Sequence, residues 1–260
     1  PIEMRIGWRE VWDPAEVPVI DIAHASNSHY MHRSGVSFVA AVAPTLEALS
    51  DGVKARKTWS GDEVGALQAA LGRAFPRDDV WGPAAIVDEC RKTLPPETVA
   101  TVDSGAHRIL LSQMWSCPGP RTLLQSSGLC TMGCAVPLAI GAAHVRPDRP
   151  TVSFSGDAGF LMVAGELGTA RELGTRAIFV VFADASLALI EKKQRQRQMV
   201  NAGVDFGRHD FAAIGRAFGG QGFTVTDRAE LRIALQSALR ADTFSVIGAM
   251  IDRQAYDGRI

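Results

Sequence analysis

The sequence predicts an α/β fold, a parallel sheet with helices on both faces. Five apolar, β-branched stretches alternate with segments of helical period along the chain. Continuous apolar strands are typical of parallel sheets buried on both faces, because strands open to water on one face alternate in polarity. The helical segments between them supply the crossovers that parallel pairing requires. The predicted strands are residues 17–23, 97–103, 150–157, 176–184 and 244–252, and the predicted helices include residues 43–54, 82–96, 164–174, 210–219 and 228–240.

The composition excludes two classes of partner. The 260 residues are 47% hydrophobic and 21% charged, which is ordinary for a globular protein that buries a core. The net charge of −1 gives no electrostatic basis for binding nucleic acid, and the basic run at residues 192–197 is interpreted as a solvated helix face. No apolar run is long enough to span a bilayer and no secretory signal opens the chain, so no membrane partner is expected.

Neither the cysteines nor the histidines predict a zinc site. The four cysteines follow no zinc-binding spacing, and a chain of this size does not depend on disulfides, so we expect reduced thiols and a cytoplasmic location. His24, His29 and His32 lie close together in sequence. No acid or cysteine completes a ligand set with them, which favours a solvated loop.

Composition divides the chain into three segments. Residues 1–55 contain one or two predicted strands and one helix, too little to bury a core alone, so they are predicted to belong to an incomplete domain. Residues 56–81 are rich in charge, proline and glycine around a short helix, which predicts a surface linker. Residues 82–260 hold the predicted α/β domain. The first residue is Pro1 rather than methionine, which leaves processing, trimming or a preceding segment open.

Two aspartates follow successive predicted strands. Asp157 stands on the turn at residues 156–159, before a helix predicted from residue 160 onward, and Asp184 ends the next strand. Parallel strands end at one edge of a sheet, where ligands bind, so we expect both carboxylates there. Such a pair suits Mg²⁺ or Ca²⁺, and Mg²⁺ commonly joins protein oxygens to phosphates. Spacing alone leaves open a helix N-cap for Asp157 and a turn residue for Asp184.

Four motifs follow one another in the predicted α/β domain. The first is GDAGF at residues 156–160, with Asp184 in FADAS 27 positions after Asp157, and the others lie at residues 102–109, 126–143 and 188–219. Together they resemble the thiamine diphosphate-dependent enzymes. In that family the metal motif begins Gly-Asp-Gly and closes with Asn-Asn or Asn-Asp. The likeness is greatest to the acetolactate synthase-like branch, which includes decarboxylases and carboligases of 2-oxo acids.

The resemblance implies thiamine diphosphate and Mg²⁺ as cofactors. By matching positions, Asp157 and Asp184 would bind Mg²⁺ through their side chains and Ser186 through its backbone carbonyl. Met132 would support the bend of the cofactor, and the carbonyl of Cys130 would accept a hydrogen bond from its amino group. The other positions implied in cofactor binding are Gly105, Ala106, His107, Gly156, Ala158 and Gly159.

Three positions depart from the family pattern. Ala158 replaces the second glycine of Gly-Asp-Gly, and Ala183 replaces the first asparagine of the closing pair. Ala106 stands where relatives often carry a polar residue. None of these changes removes an implied metal ligand, since a carboxylate such as that of Asp184 is a sound oxygen donor for a hard cation.

The resemblance also implies a partner. Family members consist of a pyrimidine-binding domain with a catalytic glutamate, a central domain and a diphosphate-binding domain, and this chain matches the last, with residues 1–55 similar to the end of the central domain. We therefore expect a lyase or transferase, a 2-oxo acid decarboxylase or carboligase, that works as a hetero-oligomer such as a heterotetramer. The partner subunit would then supply the glutamate, because Glu166 is interpreted as an ordinary helix residue.

Two alternatives to a split enzyme stay open. One is a non-catalytic binding module of the same fold, which Ala158 and Ala183 motivate, and the other is a piece of a longer single chain. The sequence does not specify the 2-oxo acid, or whether the product is an aldehyde or a new carbon–carbon bond. The resemblance implies an apolar wall formed by Leu187, Leu189 and Ile190, in the stretch after the metal motif. Such a wall would reject charged groups but distinguish poorly among similar apolar groups.

Overall fold

Two compact units make up the chain. The structure, a computed structural model, describes residues 12–13, 15–26, 33–56, 59, 61–77 and 80–260. The first unit is Pro1–Glu63 and the second is Val64–Ile260, so the boundary falls within the predicted linker. Two of the histidines considered above, His29 and His32, lie outside the described residues. The division into three segments stays a prediction.

The first unit contains one pair of strands among its described residues. Strand β1, Ile20–Ala23, pairs in parallel with β2, Val36–Val39, and helix α1, Val42–Ser50, follows. Every residue of β2 is exposed. A two-stranded sheet by itself is marginally stable at best.

A parallel sheet of six strands forms the centre of the second unit. Its strand order is β4-β3-β5-β6-β8-β7, and every neighbouring pair is parallel. The strands are β3, Val99–Val102; β4, Leu123–Gln125; β5, Thr151–Gly156; β6, Ile178–Ala183; β7, Gln221–Val225; and β8, Ser245–Met250.

Helices precede the first of these strands and connect the others. They are α2, Glu63–Ala74; α3, Pro83–Thr93; α4, Ala106–Met114; α5, Ala135–Val145; α6, Asp157–Met162; α7, Leu167–Glu172; α8, Ala188–Gln196; α9, Phe211–Ala217; and α10, Arg228–Arg240. Two short 3₁₀ turns, Ala164–Glu166 and Arg253–Tyr256, complete the described elements. None of the helices in the described part of the chain combines the length and apolar character needed to cross a membrane.

Strand β6 shows how the sheet is buried on both faces. Val180 and Phe182 belong to one apolar core, together with residues of α3, α4 and α10. Phe179 and Val181 belong to a second core, together with residues of α5, α7 and α9. Successive side chains of a strand point to opposite faces, so the continuous apolar run of β6 fills both cores. The predicted α/β fold with helices on both faces is confirmed.

Three strands lie outside the predicted set. Strands β4 and β7 form the two edges of the six-stranded sheet, and β2 lies in the first unit. The edge strands are short and mostly half-buried, so their sequences lack the continuous apolar run that identifies the central strands. The segment predicted as one helix at residues 164–174 divides into a 3₁₀ turn followed by α7.

Candidate active site

Three neighbouring strands each end in front of an aspartate. In the sheet order β3-β5-β6, Asp103 follows the first strand, Asp157 the second and Asp184 the third. The register pairs Val102 with Phe154 and Gly156 with Phe182, so these strands end side by side. The carboxyl edge of a parallel sheet therefore carries three acids close to the point where ligands of α/β folds bind.

Asp157 binds the backbone of two strand ends. Its Oδ1 accepts a hydrogen bond from the amide of Ala158 at 2.8 Å, and its Oδ2 accepts one from the amide of Ala185 at 2.7 Å. The structure corrects two expectations for this turn. Helix α6 begins at Asp157 rather than at residue 160, and its N-cap is Gly156, so Asp157 does not occupy the N-cap position.

Asp184 stands on the turn that follows β6. Its Oδ1 accepts a hydrogen bond from the amide of Ser186 at 2.9 Å, a local contact of the kind that turn aspartates make. Between them, Ala185 has a φ of 59°, in the left-handed region that favours glycine. The turn is thus held in a conformation that its own sequence disfavours.

Burial destabilises the charged forms of both carboxylates, and the charge of Asp157 adds to this effect at Asp184. Burial raises the pKa of Asp157, against the lowering effect of its backbone hydrogen bonds. Burial and then the charge of Asp157 raise the pKa of Asp184 to about 8. A divalent cation between them would offset both effects, and carboxylate oxygens are the donors that such a hard cation prefers.

The acids do not form a ligand shell made of side chains alone. Among the described residues, no group of three or more His, Cys, Asp or Glu side chains is placed to hold a metal ion. Two carboxylates and the backbone carbonyl of Ser186 would leave positions for phosphate oxygens or water, as Mg²⁺ sites commonly do. The donor set fits Mg²⁺ that arrives with a phosphate ligand.

A cavity of about 170 Å³ opens at this edge of the sheet. It contains all the positions implied in cofactor binding except Cys130. Leu187, Leu189 and Ile190 also line it, where the apolar wall was expected. Cys130 lies in the loop before α5 and has a φ of 51°. That its carbonyl accepts a hydrogen bond from the amino group of the cofactor stays a prediction. The positions implied in cofactor binding that line the cavity are Gly105, Ala106, His107, Met132, Gly156, Asp157, Ala158, Gly159, Asp184 and Ser186.

Asp103 joins three segments around the cavity. Its side chain is buried, Oδ2 accepts a hydrogen bond from the amide of Gly133 at 2.6 Å, and Oδ1 lies 2.8 Å from Nε2 of His107. A Cβ atom on Gly159 would lie 2.2 Å from Oδ2 of Asp103, so only glycine fits there. The sequence interpretation missed this residue, although its position directly after a strand matches that of Asp157.

His107 is fixed by its neighbours. The ring is 3% exposed and stacks on Phe182, with the ring centroids 5.3 Å apart. A Cβ atom on Gly105 would lie 2.6 Å from the ring, so a glycine at this position makes room for the imidazole. When Nε2 donates to Asp103, a neutral ring has only an acceptor at Nδ1, so donation to a phosphate from Nδ1 requires the charged imidazolium.

Tyr256 is a second lining residue that the sequence interpretation missed. It stands in the 3₁₀ turn after β8, contributes to the cavity wall and is 2% exposed. Burial, followed by the charges of Asp184 and Asp157, raises the pKa of its phenol well above the usual value, so the side chain is neutral. The sequence carries no motif at this position that identifies it.

Comparison with known proteins identifies the family. Residues 103–249 match the family model described as the thiamine pyrophosphate enzyme, C-terminal TPP binding domain. This range begins at Asp103 and includes both Asp157 and Asp184. The chain belongs to the thiamine pyrophosphate enzyme family. The prediction of this family from the four motifs is confirmed.

Relatives in this thiamine pyrophosphate family include acetolactate synthases. The chain is 34% identical to the acetolactate synthase of Bacillus subtilis (strain 168) over 184 residues, which are 70% of this chain and 32% of that protein. It is 34% identical to the acetolactate synthase large subunit of Parasynechococcus marenigrum (strain WH8102) over 204 residues, 75% of this chain and 31% of that protein. The catabolic acetolactate synthase of Raoultella terrigena is 32% identical over 170 residues, 65% of this chain and 30% of that protein. These matches therefore cover about a third of each relative.

Glu166 lies away from the thiamine pyrophosphate family's cofactor motifs. It belongs to the 3₁₀ turn after α6, is exposed, and accepts a hydrogen bond from the hydroxyl of Thr169 at 3.1 Å. It is absent from the described residues that line the cavity. Glu166 is also the N-cap of α7, a position that agrees with the interpretation as an ordinary residue near a helix N-terminus.

Proposed function

We propose that this chain binds the diphosphate and Mg²⁺ of thiamine diphosphate in a cytoplasmic enzyme that decarboxylates or carboligates 2-oxo acids. The observation that carries the proposal is the cavity at the carboxyl edge of the sheet, where Asp157 and Asp184 meet residues from three strand ends. The acetolactate synthases among its relatives support the class of substrate.

Mg²⁺ would be held by three oxygen donors of this chain. They are the carboxylates of Asp157 and Asp184 and the backbone carbonyl of Ser186. The raised pKa values of both aspartates support this assignment, because burial of both carboxylates and the charge of Asp157 beside Asp184 are unfavourable unless a cation compensates them. The remaining positions of an octahedral shell would be left for diphosphate oxygens and water.

The diphosphate would lie against the first turn of α4 and the start of α6. Helix α4 begins at Ala106, and its N-cap Gly105 makes no side-chain hydrogen bond to the helix. The first amides of a helix lack partners within the helix and favour anions. Ala158 has a small side chain and Gly159 has none, so a phosphate would have room to approach the backbone at the start of α6.

The other lining residues would orient the cofactor and exclude water. When bound, thiamine diphosphate supplies a nucleophilic carbon and an electron sink for cleavage of the bond next to a 2-oxo group. Met132 would hold the bent shape of the cofactor, and Leu187, Leu189 and Ile190 would form an apolar wall beside the substrate. Tyr256 would close the cavity as a neutral phenol.

A pyrimidine-binding domain would complete the site. Among the described residues that line the cavity there is no glutamate, so the group that protonates the cofactor ring would come from elsewhere. We propose a hetero-oligomer, such as a heterotetramer, in which a partner subunit supplies it. The relative from Parasynechococcus marenigrum is itself named a large subunit.

A non-catalytic binding module is the second candidate. Ala183, at the end of β6, is 4% exposed and has no polar group where the family motif places an asparagine. A module of this kind would keep the fold and bind the cofactor weakly or not at all.

Isothermal titration of thiamine diphosphate with Mg²⁺ distinguishes the two candidates. The chain is titrated alone and in a mixture with the product of the neighbouring gene, and each sample is assayed on a panel of 2-oxo acids. Binding with release of CO₂ or formation of a 2-hydroxy ketone supports the enzyme. Asp157→Ala should abolish binding, whereas Asp148→Ala, an exposed aspartate paired with Arg146, should leave it unchanged. No binding in either sample would overturn the proposal.

A further inference from the structure

The turn that presents two of the proposed metal ligands is strained. Ala185 separates Asp184 from Ser186 and has a φ of 59°. A Cβ atom disfavours the left-handed conformation, because it lies too close to the following carbonyl oxygen. Such a conformation persists where surrounding contacts impose it.

The backbone of the turn is held from two sides. On one side, Oδ2 of Asp157 accepts the amide hydrogen of Ala185 at 2.7 Å. On the other side, the amide of Leu187 donates to the carbonyl of Val204 at 2.8 Å, and the amide of Phe206 donates to the carbonyl of Ala185 at 3.1 Å. Residues 204–206 therefore form a short antiparallel bridge with the turn.

Asp205 lies at the centre of this bridge. Its Oδ1 accepts a hydrogen bond from the hydroxyl of Ser186 at 2.8 Å, and its Oδ2 accepts one from the side-chain amide of Asn201 at 2.8 Å. The guanidinium of Arg253 also donates to Oδ2. These contacts fix the carboxylate on Ser186. Asp205 is exposed and does not line the cavity, so it reaches the site through Ser186 and not as a ligand.

We propose that Asp205 is a positioning residue for the metal site. By accepting the hydroxyl hydrogen of Ser186, it holds Ala185 in the left-handed conformation and keeps the Ser186 carbonyl beside the Asp184 carboxylate. The inference rests on the proposed function, because it assigns to Asp205 a role in Mg²⁺ affinity at that same site. Residues that orient ligands in this way typically change metal affinity by about 10- to 100-fold when they are removed.

The test is a Mg²⁺ titration at saturating thiamine diphosphate, with the chain in whatever assembly binds the cofactor. Asp205→Ala and Ser186→Ala each remove the side-chain contact, and Ser186→Ala keeps the proposed ligand, which is a backbone carbonyl. Each variant should lower the affinity for Mg²⁺ by about tenfold. The double variant should lose less Mg²⁺ affinity than the sum of the two single losses, because both substitutions remove the hydrogen bond between Ser186 and Asp205. Ser186→Ala also removes the contact of its hydroxyl with the Val204 carbonyl at 3.4 Å, and Asp205→Ala also removes the contacts with Asn201 and Arg253. Asp148→Ala, which removes a different exposed aspartate paired with an arginine, is the matched control.

A rescue variant separates positioning from a general structural role. Glycine adopts positive φ without a steric penalty. Adding Ala185→Gly to Asp205→Ala should therefore recover most of the lost Mg²⁺ affinity. A residue that merely stabilised the fold would lower the melting temperature without changing Mg²⁺ affinity, and Ala185→Gly would restore nothing.

The outcomes distinguish the inference from the proposed function. Wild-type protein that binds the cofactor, with unchanged Mg²⁺ affinity in Asp205→Ala and Ser186→Ala, would overturn the positioning role alone. Wild-type protein that shows no Mg²⁺-dependent binding in any assembly would overturn the proposed function and this inference with it. Loss of affinity in both variants with rescue by Ala185→Gly supports the positioning role.

Discussion

Oδ2 of Asp157 accepts a hydrogen bond from the backbone amide of Ala185 at 2.7 Å, which joins the ends of two adjacent strands. The same carboxylate accepts the amide of Ala158 through Oδ1. Asp157 therefore has two separable properties, a negative charge available to a cation and acceptor oxygens that fix the neighbouring turn. Substitutions that remove one property or both should give different results.

Replacing Asp157 by asparagine or alanine should separate charge from hydrogen bonding. Asparagine keeps one acceptor oxygen, whereas alanine leaves both amides without this partner, at a cost of about 1–3 kcal/mol for each amide that stays buried. We expect both variants to lose Mg²⁺-dependent cofactor binding. In thermal unfolding with chelator, Asp157→Asn should melt several degrees above Asp157→Ala. Equal melting temperatures would show that the backbone contacts contribute little.

Gly159 should tolerate no side chain. A Cβ atom there would lie 2.2 Å from Oδ2 of Asp103 and 3.0 Å from the amide nitrogen of Gly133, which are themselves hydrogen-bonded. We expect Gly159→Ala to lower the free energy of unfolding by about 1–3 kcal/mol or more, measured by urea denaturation, and to weaken cofactor binding. Gly168→Ala is the matched control, because it lies within α7 with no atom near the added Cβ. It should raise stability by about 0.5–1 kcal/mol.

A buried acid between α3 and α10 should be critical for folding. Asp88 is 1% exposed and accepts hydrogen bonds from Lys92 at 2.6 Å and Arg228 at 2.9 Å. Although burial acts to raise its pKa, hydrogen bonds from Lys92, Arg228 and Arg77 lower it below the usual value. Its contribution is therefore present above pH 4 and is lost as the pH falls below that value.

Asp88→Ala should accordingly destabilise the chain by about 1–3 kcal/mol at pH 7 in urea denaturation, because the largely buried Arg228 loses this acidic partner and keeps Glu89 at 3.5 Å. The deficit relative to wild type should shrink as the pH is lowered toward 3. Asp148→Ala removes an exposed pair and should leave the urea midpoint close to that of wild type at both pH values. A deficit that is the same at pH 7 and pH 3 would contradict the assignment to this ion-pair cluster.

The convergence of Asp157 and Asp184 could be predicted from the sequence because both follow central strands. Central strands have continuous apolar runs, and parallel strands end at one edge, so strand pattern and topology together place the acids. The edge strands β4 and β7 could not be predicted in this way. They are largely half-buried, and glycines in β7 further weaken its strand pattern.

The contacts that build the site depend on tertiary structure. Asp103 reaches Gly133 across 30 residues of chain, and no periodicity in the loop before α5 indicates that approach. Asp205 reaches Ser186 through an isolated bridge outside the sheet. Tyr256 lies in the 3₁₀ turn Arg253–Tyr256, which follows β8. Position after a strand is the signal that identifies Asp103, whereas Asp205 and Tyr256 follow no such rule.

Asp184 should destabilise the metal-free protein as the pH rises. Burial and the charge of Asp157 raise its pKa to about 8 in the folded chain, from an ordinary value of 3.8. Between these values the unfolded chain is ionised while the folded chain retains the proton. The contribution of Asp184 to the free energy of unfolding is therefore greatest below pH 4, falls between pH 4 and pH 8, and stays constant above pH 8.

Asp184→Asn removes this dependence and keeps an oxygen that can accept the amide of Ser186. In thermal unfolding with chelator, the variant should melt at about the wild-type temperature near pH 4 and at least about 3 °C above it at pH 8, since about 1 kcal/mol shifts the melting temperature of a chain of this size by 2–4 °C. Saturating Mg²⁺ and thiamine diphosphate should reverse the order, because only the wild type gains stability from the bound cation. If the difference in melting temperature between Asp184→Asn and wild type stays constant from pH 4 to 8, the pKa of Asp184 is not raised in the folded chain. The electrostatic argument for a cation at this site would then fail.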